Sequence, residues 1–83
     1  MVRPECLQPA AKWIRPTGDE IKYVLKLGGH TGGSAAQFLG LGKNSDRTVR
    51  RWTSEDSSIP YASWALLCHS AGLGEIWKPS SAE

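Results

Sequence analysis

Glycines cut this chain into short pieces. Gly28 and Gly29, Gly40 and Gly42, and Gly72 each follow a short run in which apolar residues recur at helical spacing. A glycine after the last periodic residue is a helix stop. No apolar run approaches the roughly 18 residues of a membrane span, and none alternates apolar and polar residues as a half-buried strand does. The spacing predicts an all-α, compact domain of four helices, with residues 73–77 as a fifth, final turn.

The helix starts agree with the stops. Thr17, Gly18, Asp19 and Glu20 fit a capping box, with Ile21, Val24, Leu25 and Gly28 on one face of the helix that follows. Thr31 is the expected cap of a second, short helix whose apolar face is Ala35, Ala36, Phe38 and Leu39. Ser45 is the expected cap of a third, in which Val49 and Trp52 lie three apart and turn inward. Pro60 opens a fourth, apolar on almost every side from Trp64 to Cys68, as expected of a helix at the centre of a domain.

Length and cysteine use narrow the classes further. The chain has 83 residues, enough for one domain with a modest core, a size at which dimerisation often adds stability. Residues 1–16, with Pro4, Pro9 and Pro16, read as an N-terminal arm, residues 17–77 as the domain and residues 78–83 as a tail. Two cysteines, Cys6 and Cys68, are too few for a disulfide scaffold or a zinc cluster. The N-terminus lacks the apolar core of a secretory signal, so the expected location is the cytoplasm, with no membrane partner. Cys68 and His69 are adjacent and therefore diverge on a helix, and no third ligand has metal-site spacing. Neither an enzyme nor a cofactor is expected.

The net charge of +2 decides nothing, but its placement does. Between residues 43 and 52 stand Lys43, Arg47, Arg50 and Arg51 against the single acid Asp46. A short helix with a small residue, a glycine-containing turn and then a capped basic helix is the order of a helix-turn-helix. In that motif the first helix braces the second, and the second presents its N-terminal residues to base edges in the major groove. Arginine can grip guanine with two hydrogen bonds, while Lys, Arg and hydroxyl groups hold phosphates.

The segment 36–52, with Ala36, Leu39-Gly40-Leu41 and Arg47-Thr48-Val49-Arg50-Arg51-Trp52, resembles the helix-turn-helix of the Cro and phage-repressor superfamily. With Ile59-Pro60-Tyr61-Ala62, Trp64-Ala65-Leu66-Leu67-Cys68, Ala71-Gly72-Leu73-Gly74, Ile76-Trp77 and the opening Arg3-Pro4-Glu5-Cys6-Leu7, most of the chain is similar to the KorC-type repressors of conjugative plasmids. The resemblance implies a lambda-repressor-like fold and a homodimer that occupies a palindromic operator in double-stranded DNA without a cofactor. The chain leaves no room for a separate effector domain, so no small-molecule effector is expected. Carried onto this chain, the resemblance makes Asp46, Arg47, Thr48 and Arg51 the base readers and Arg50 a phosphate contact, with Ser45, Lys43, Thr31 and Ser34 as further phosphate candidates. Two features depart from the superfamily. Gly42, Lys43 and Asn44 lengthen the turn before Ser45, and Gly32 stands where a phosphate-holding glutamine is common.

Plainer readings stand beside these. Asp46 in a first turn stabilises the helix dipole whether or not it reaches a base. Trp52 and Trp64 read as core, and Tyr61 reads either as core or as a phosphate contact. Leu73, Ile76 and Trp77, apolar and close to the chain end, are expected at a dimer interface; the plainer reading of Ile76 and Trp77 is that they fold back on the core. The competing functions are a helical protein-interaction adaptor, whose basic helix is merely solvated, and a nucleic-acid binder without sequence preference. Competition with unrelated DNA at a stated salt concentration separates all three.

Overall fold

A computed structural model describes residues 2–42 and 45–78. A 3-10 turn at Pro4–Cys6 precedes four α-helices: α1 (Gly18–Leu27), α2 (Gly32–Phe38), α3 (Asp46–Thr53) and α4 (Tyr61–Ser70). The described residues contain no strand. Residues 73–75 take no regular structure and 76–77 form a turn, so no fifth α-helix stands there, and among the described residues the extra helical turn is at the other end of the chain.

α1 starts as its sequence predicts. The Glu20 amide donates to the Thr17 hydroxyl at 3.2 Å and the Glu20 carboxylate accepts from the Thr17 amide at 2.7 Å. Ile21, Val24 and Leu25 then face the core. α2 starts on a second capping box, Thr31 with Ser34, and buries Ala35 and Ala36 against α3. Phe38, assigned above to the apolar face, is 46% exposed and packs on His30 instead, with ring centroids 5.2 Å apart. α2 is short and its buried face is two alanines, so the helices approach too closely to admit a phenyl ring between them. α4 buries Trp64, Ala65, Leu67 and Cys68, and its apolar outer face leaves Leu66 in solvent.

Residues 2–16 are laid against this bundle. Cys6 is fully buried, and the Trp64 indole N–H donates to its carbonyl at 2.7 Å. The Tyr61 hydroxyl donates to the Gln8 carbonyl at 2.9 Å, and the Trp13 ring meets Tyr61 edge-on at 5.1 Å. Tyr61 is therefore half-buried and bonded to the chain itself. Arg3 clasps buried Glu20 through its backbone amide, Nε and Nη2, at 3.0, 2.9 and 3.0 Å. These donors hold the Glu20 carboxyl down at about 2. Burial pushes the Cys6 thiol up to about 11 and the Cys68 thiol up to about 12, so both are protonated and shielded at neutral pH.

The four helices share one ending. In each, the residue one past the C-cap has positive φ and donates back to the carbonyl three residues before it, and the next residue donates back to the carbonyl five before it. This is the Schellman arrangement, and glycine suits its left-handed position because it has no Cβ to clash. Gly29, Gly40 and Gly72 fill it after α1, α2 and α4. After α3 it is filled by Glu55, at φ 65°. A side chain held there costs about 1–3 kcal/mol. The Glu55 carboxylate offsets part of that cost by accepting the Gly18 amide at 2.8 Å, one of the donors that the first turn of α1 leaves unpaired.

Candidate nucleic-acid interface

α3 turns its apolar residues in and everything else out. Val49 is 1% and Trp52 4% exposed, while Arg47, Thr48, Arg50 and Arg51 all stand in solvent. Three guanidinium groups and a hydroxyl thus project from two turns of helix. Arg50 is tied by Nη2 to the Asp46 carboxylate at 3.3 Å, one helical turn away. Both side chains are largely exposed, so such a pair contributes only about 0.3–0.5 kcal/mol. It nonetheless gives Asp46 a partner other than a base. Among the described residues Arg47 and Arg51 form no ion pair, which leaves all their donors for a ligand.

The start of α2 lies beside the start of α3. A Cβ built at Gly32 would sit 3.7 Å from the Asp46 Cβ, ordinary van der Waals contact. This proximity sets Gly32, which follows Thr31 in the first turn of α2, beside the first residue of α3. The Thr31 and Ser34 side chains are already engaged with each other's amides, at 3.1 and 2.8 Å. Ser45 holds the N-cap position of α3, as its residue type suggests, but its hydroxyl donates backwards to the Leu41 carbonyl at 2.7 Å and makes no cap bond. The backbone there, at φ −89° and ψ 2°, is not the extended form from which a serine reaches forward to the next turn. Lys43 and Asn44 lie outside the described residues, so the middle of the long turn does too.

The far end of α3 carries a contact that residue type did not signal. Gly18, the first residue of α1, is packed so tightly on the end of α3 that an added Cβ would be driven into the Thr53 carbonyl oxygen, 2.9 Å from its carbon. Together with the Glu55 bond to the Gly18 amide, this contact seats α3 on α1. A glycine inside a capping box is the only hint of it in the sequence.

The C-terminal residues lie elsewhere. Ile76 is 6% exposed and belongs to the chain's own core, with Leu73 partly buried against it. Trp77 is 39% exposed and meets His69 edge-on at 5.9 Å. Trp77 lines an apolar hollow with Tyr61, Ala62, Ala65 and Leu66. The two histidines have ordinary structural partners: His30 pairs with the Ser70 hydroxyl at 3.1 Å, and His69 packs on Trp77. Among the described residues no group of three His, Cys, Asp or Glu side chains has the arrangement to hold a metal ion, and no helix is long and apolar enough to cross a membrane.

No family model matches the chain, and no solved structure matches it. Two proteins of Escherichia coli, each described as transcriptional repressor protein KorC, are 64% and 61% identical to it over 77 residues. In both cases the match covers 93% of this chain and 91% of the relative. With nearly two residues in three shared across almost its whole length, the chain belongs to the KorC family of transcriptional repressor proteins.

Proposed function

We propose that this chain is a sequence-specific DNA-binding repressor and that it occupies a palindromic operator as a homodimer. The helix pair α2–α3 acts as its helix-turn-helix, and the outer face of α3 enters the major groove. One observation carries this reading: α3 commits only Val49 and Trp52 to the core and leaves Arg47, Thr48, Arg50 and Arg51 exposed on a helix braced by α2. The repressor description of the two relatives supports it.

In this reading Arg47, Thr48 and Arg51 read bases. Arg50 leaves Asp46 for a phosphate, after which the Asp46 carboxylate can accept from a cytosine amine. Thr31, Ser34, Ser45 and Lys43 serve as phosphate contacts, Thr31 through the hydroxyl proton that its capping box leaves over and Ser34 by turning its hydroxyl proton from the Thr31 carbonyl, 3.3 Å away. Occupancy of the operator blocks polymerase, and protein concentration alone sets occupancy. Residues 2–16 serve the domain as a strap rather than as a separate DNA-binding arm, a reading supported by the Cys6, Gln8 and Arg3 contacts.

The dimer is proposed to form around Trp77 and Leu66, with Leu73 at the edge and Ile76 supporting Trp77 from inside the core. These two large side chains give the outer side of α4 an uncharged, apolar patch, where phosphate contacts would call for cations. A two-fold dimer sets its recognition helices about 34–36 Å apart, one turn of DNA.

Selection of bound duplexes from a random pool, with unrelated DNA as competitor at fixed salt, tests the function. A symmetric consensus with half-sites one turn apart is the expected result. Binding without a consensus indicates a non-specific binder, and no binding an adaptor. Either outcome overturns the proposal. Leu66→Ser combined with Trp77→Ala tests the interface: sedimentation should shift towards monomer, and binding to the full consensus should weaken more than binding to a half-site.

A further inference from the structure

We infer that Glu55 is a positioning residue for DNA recognition: it latches the end of α3 to the start of α1 and so fixes the pose at which the outer face of α3 meets DNA. The inference rests on the proposed reading of α3 and adds to it a residue that touches no base.

Three observations converge on Glu55. The first is its backbone. The other three helices use glycine at the corresponding position, and only α3 places a side chain in the left-handed region. The Schellman bonds there are complete, from the Glu55 amide to the Trp52 carbonyl at 3.2 Å and from the Asp56 amide to the Arg51 carbonyl at 2.9 Å. Glycine would therefore serve the helix ending at least as well, and the ending alone does not explain a glutamate. The second is the bond that the side chain makes. Its Oε2 accepts the Gly18 amide at 2.8 Å, so an anion sits on the first turn of α1. The third is the close approach at the same place, where the Gly18 Cα lies against the Thr53 carbonyl with no room for a Cβ. Glycine at 18 and glutamate at 55 are the two halves of one contact. The glycine lets the backbones meet, and the glutamate holds them there.

The contact matters for recognition because α3 is short. Val49 and Trp52 fix which face points inward, and α2 braces the helix from one side. Neither of these by itself holds the C-terminal end of α3 against rocking. A latch at the C-terminal end removes this freedom and carries Arg47 and Arg51 with the rigid body of α1. A base reader must hold two hydrogen bonds at once, so a small rock degrades base contacts, whereas flexible phosphate contacts follow the movement.

The test compares Glu55→Gly with Glu55→Gln. Both remove the same charge, so any effect of a carboxylate on DNA phosphates is common to the two. Only glutamine keeps an oxygen that can accept the Gly18 amide. The probes are the consensus duplex selected by the unaltered chain and a scrambled duplex of the same composition, with thermal unfolding measured in parallel. Glu55→Gly should lower the ratio of consensus to scrambled affinity about tenfold, the scale of one lost base contact. It should leave the scrambled affinity within about twofold of Glu55→Gln and should fold as well as that variant, because glycine relieves the backbone. Glu55→Gln should keep the ratio of the unaltered chain. Equal ratios for Glu55→Gly and the unaltered chain overturn the inference while leaving the DNA reading intact. So does a loss in Glu55→Gly that falls equally on both duplexes and follows its melting temperature. If the unaltered chain selects no consensus, both readings fall together.

Discussion

Helices α3 and α4 are of similar length, eight and ten residues, and end in the same backbone motif, yet they distribute their side chains in opposite ways. α3 buries two residues and exposes its charges, whereas α4 buries four and has no Asp, Glu, Lys or Arg at all. The difference separates two jobs that so small a domain must perform together. α4 holds the fold: Trp64 sits at its centre and collects the N-terminal strap through the Cys6 carbonyl. α3 draws its stability from its neighbours and leaves its charged surface in solvent, the surface proposed above to meet DNA. Changes on α4 should therefore appear in stability, and changes on the outer face of α3 in binding.

The harshest way to probe that division is Trp64→Ala. It opens a cavity at a fully buried site and strands the Cys6 carbonyl, so a loss of about 3–5 kcal/mol is expected, enough to unfold much of an 83-residue domain. Chemical denaturation reads it directly. A variant that loses less than about 1 kcal/mol would show that the centre of the domain lies elsewhere.

Gly18→Ala comes next and tests the seat of α3. Overpacking against backbone costs about 1–3 kcal/mol, and here the obstacle is the Thr53 carbonyl, which cannot rotate away. The melting temperature should fall and DNA affinity with it. A stability equal to that of the unaltered chain would mean that α1 and α3 part easily, and the latch assigned to Glu55 would lose its footing.

A smaller effect is expected from acid. The Glu20 carboxyl is held at about 2 in the folded chain, below its ordinary value of 4.5, chiefly by the Arg3 guanidinium. A depressed carboxyl stabilises the fold fully above its unfolded pKa, and that contribution is lost as pH falls towards the folded value. The shift corresponds at most to about 3 kcal/mol. Arg3 is half exposed, so solvent screening reduces the expected loss to about 1–2 kcal/mol between roughly pH 4.5 and pH 2. Glu20→Gln should lower stability at pH 7 and flatten the acid limb of the profile. An unchanged acid limb would free the Arg3–Glu20 pair from any role in stability.

The smallest effect belongs to Asp46→Ala. Stability should move by no more than about 0.5 kcal/mol, the scale of an exposed pair one turn apart. Affinity for unrelated DNA should rise slightly, because the Arg50 guanidinium no longer has to leave a carboxylate. A loss on the consensus confined to one base position would mark Asp46 as the base contact proposed above, and a drop on unrelated DNA would contradict its part as a counterion to Arg50.

Much of this was legible in the sequence wherever the cause is local. The capping boxes at Thr17 and Thr31 and the glycine stops after α1, α2 and α4 depend on neighbours within a few residues, and so does the inward turn of Val49 and Trp52. What was not legible depends on contacts across the chain. Arg3 meets Glu20 from 17 positions away, and Trp64 meets the Cys6 carbonyl from 58 away, so a proline-rich start that reads as an arm becomes part of the core's cover. The sequence leaves open whether Ile76 and Trp77 fold back on the core or meet a second copy, and the turn after Gly72 decides only part of this: it buries Ile76 in the chain's own core and leaves Trp77 partly exposed. Ser45 has the right residue type for a cap, but the backbone delivered by the long turn aims its hydroxyl elsewhere. Glu55 gives no sign of its left-handed backbone, since nothing in a Ser-Glu-Asp run demands one.

The central claim is that the outer face of α3 reads bases, and Arg47 is its most exposed commitment. The direct measurement is the affinity of Arg47→Ala and of Arg50→Ala for the selected consensus, for each of its single-base variants and for unrelated DNA, at one salt concentration. For Arg47→Ala the account predicts a loss of about 1–3 kcal/mol on the consensus and a preference erased at one base position per half-site, with the unfolding midpoint unchanged. For Arg50→Ala it predicts similar losses on every duplex. If Arg47→Ala instead weakens all sequences equally, or weakens none, α3 does not read DNA in the way described.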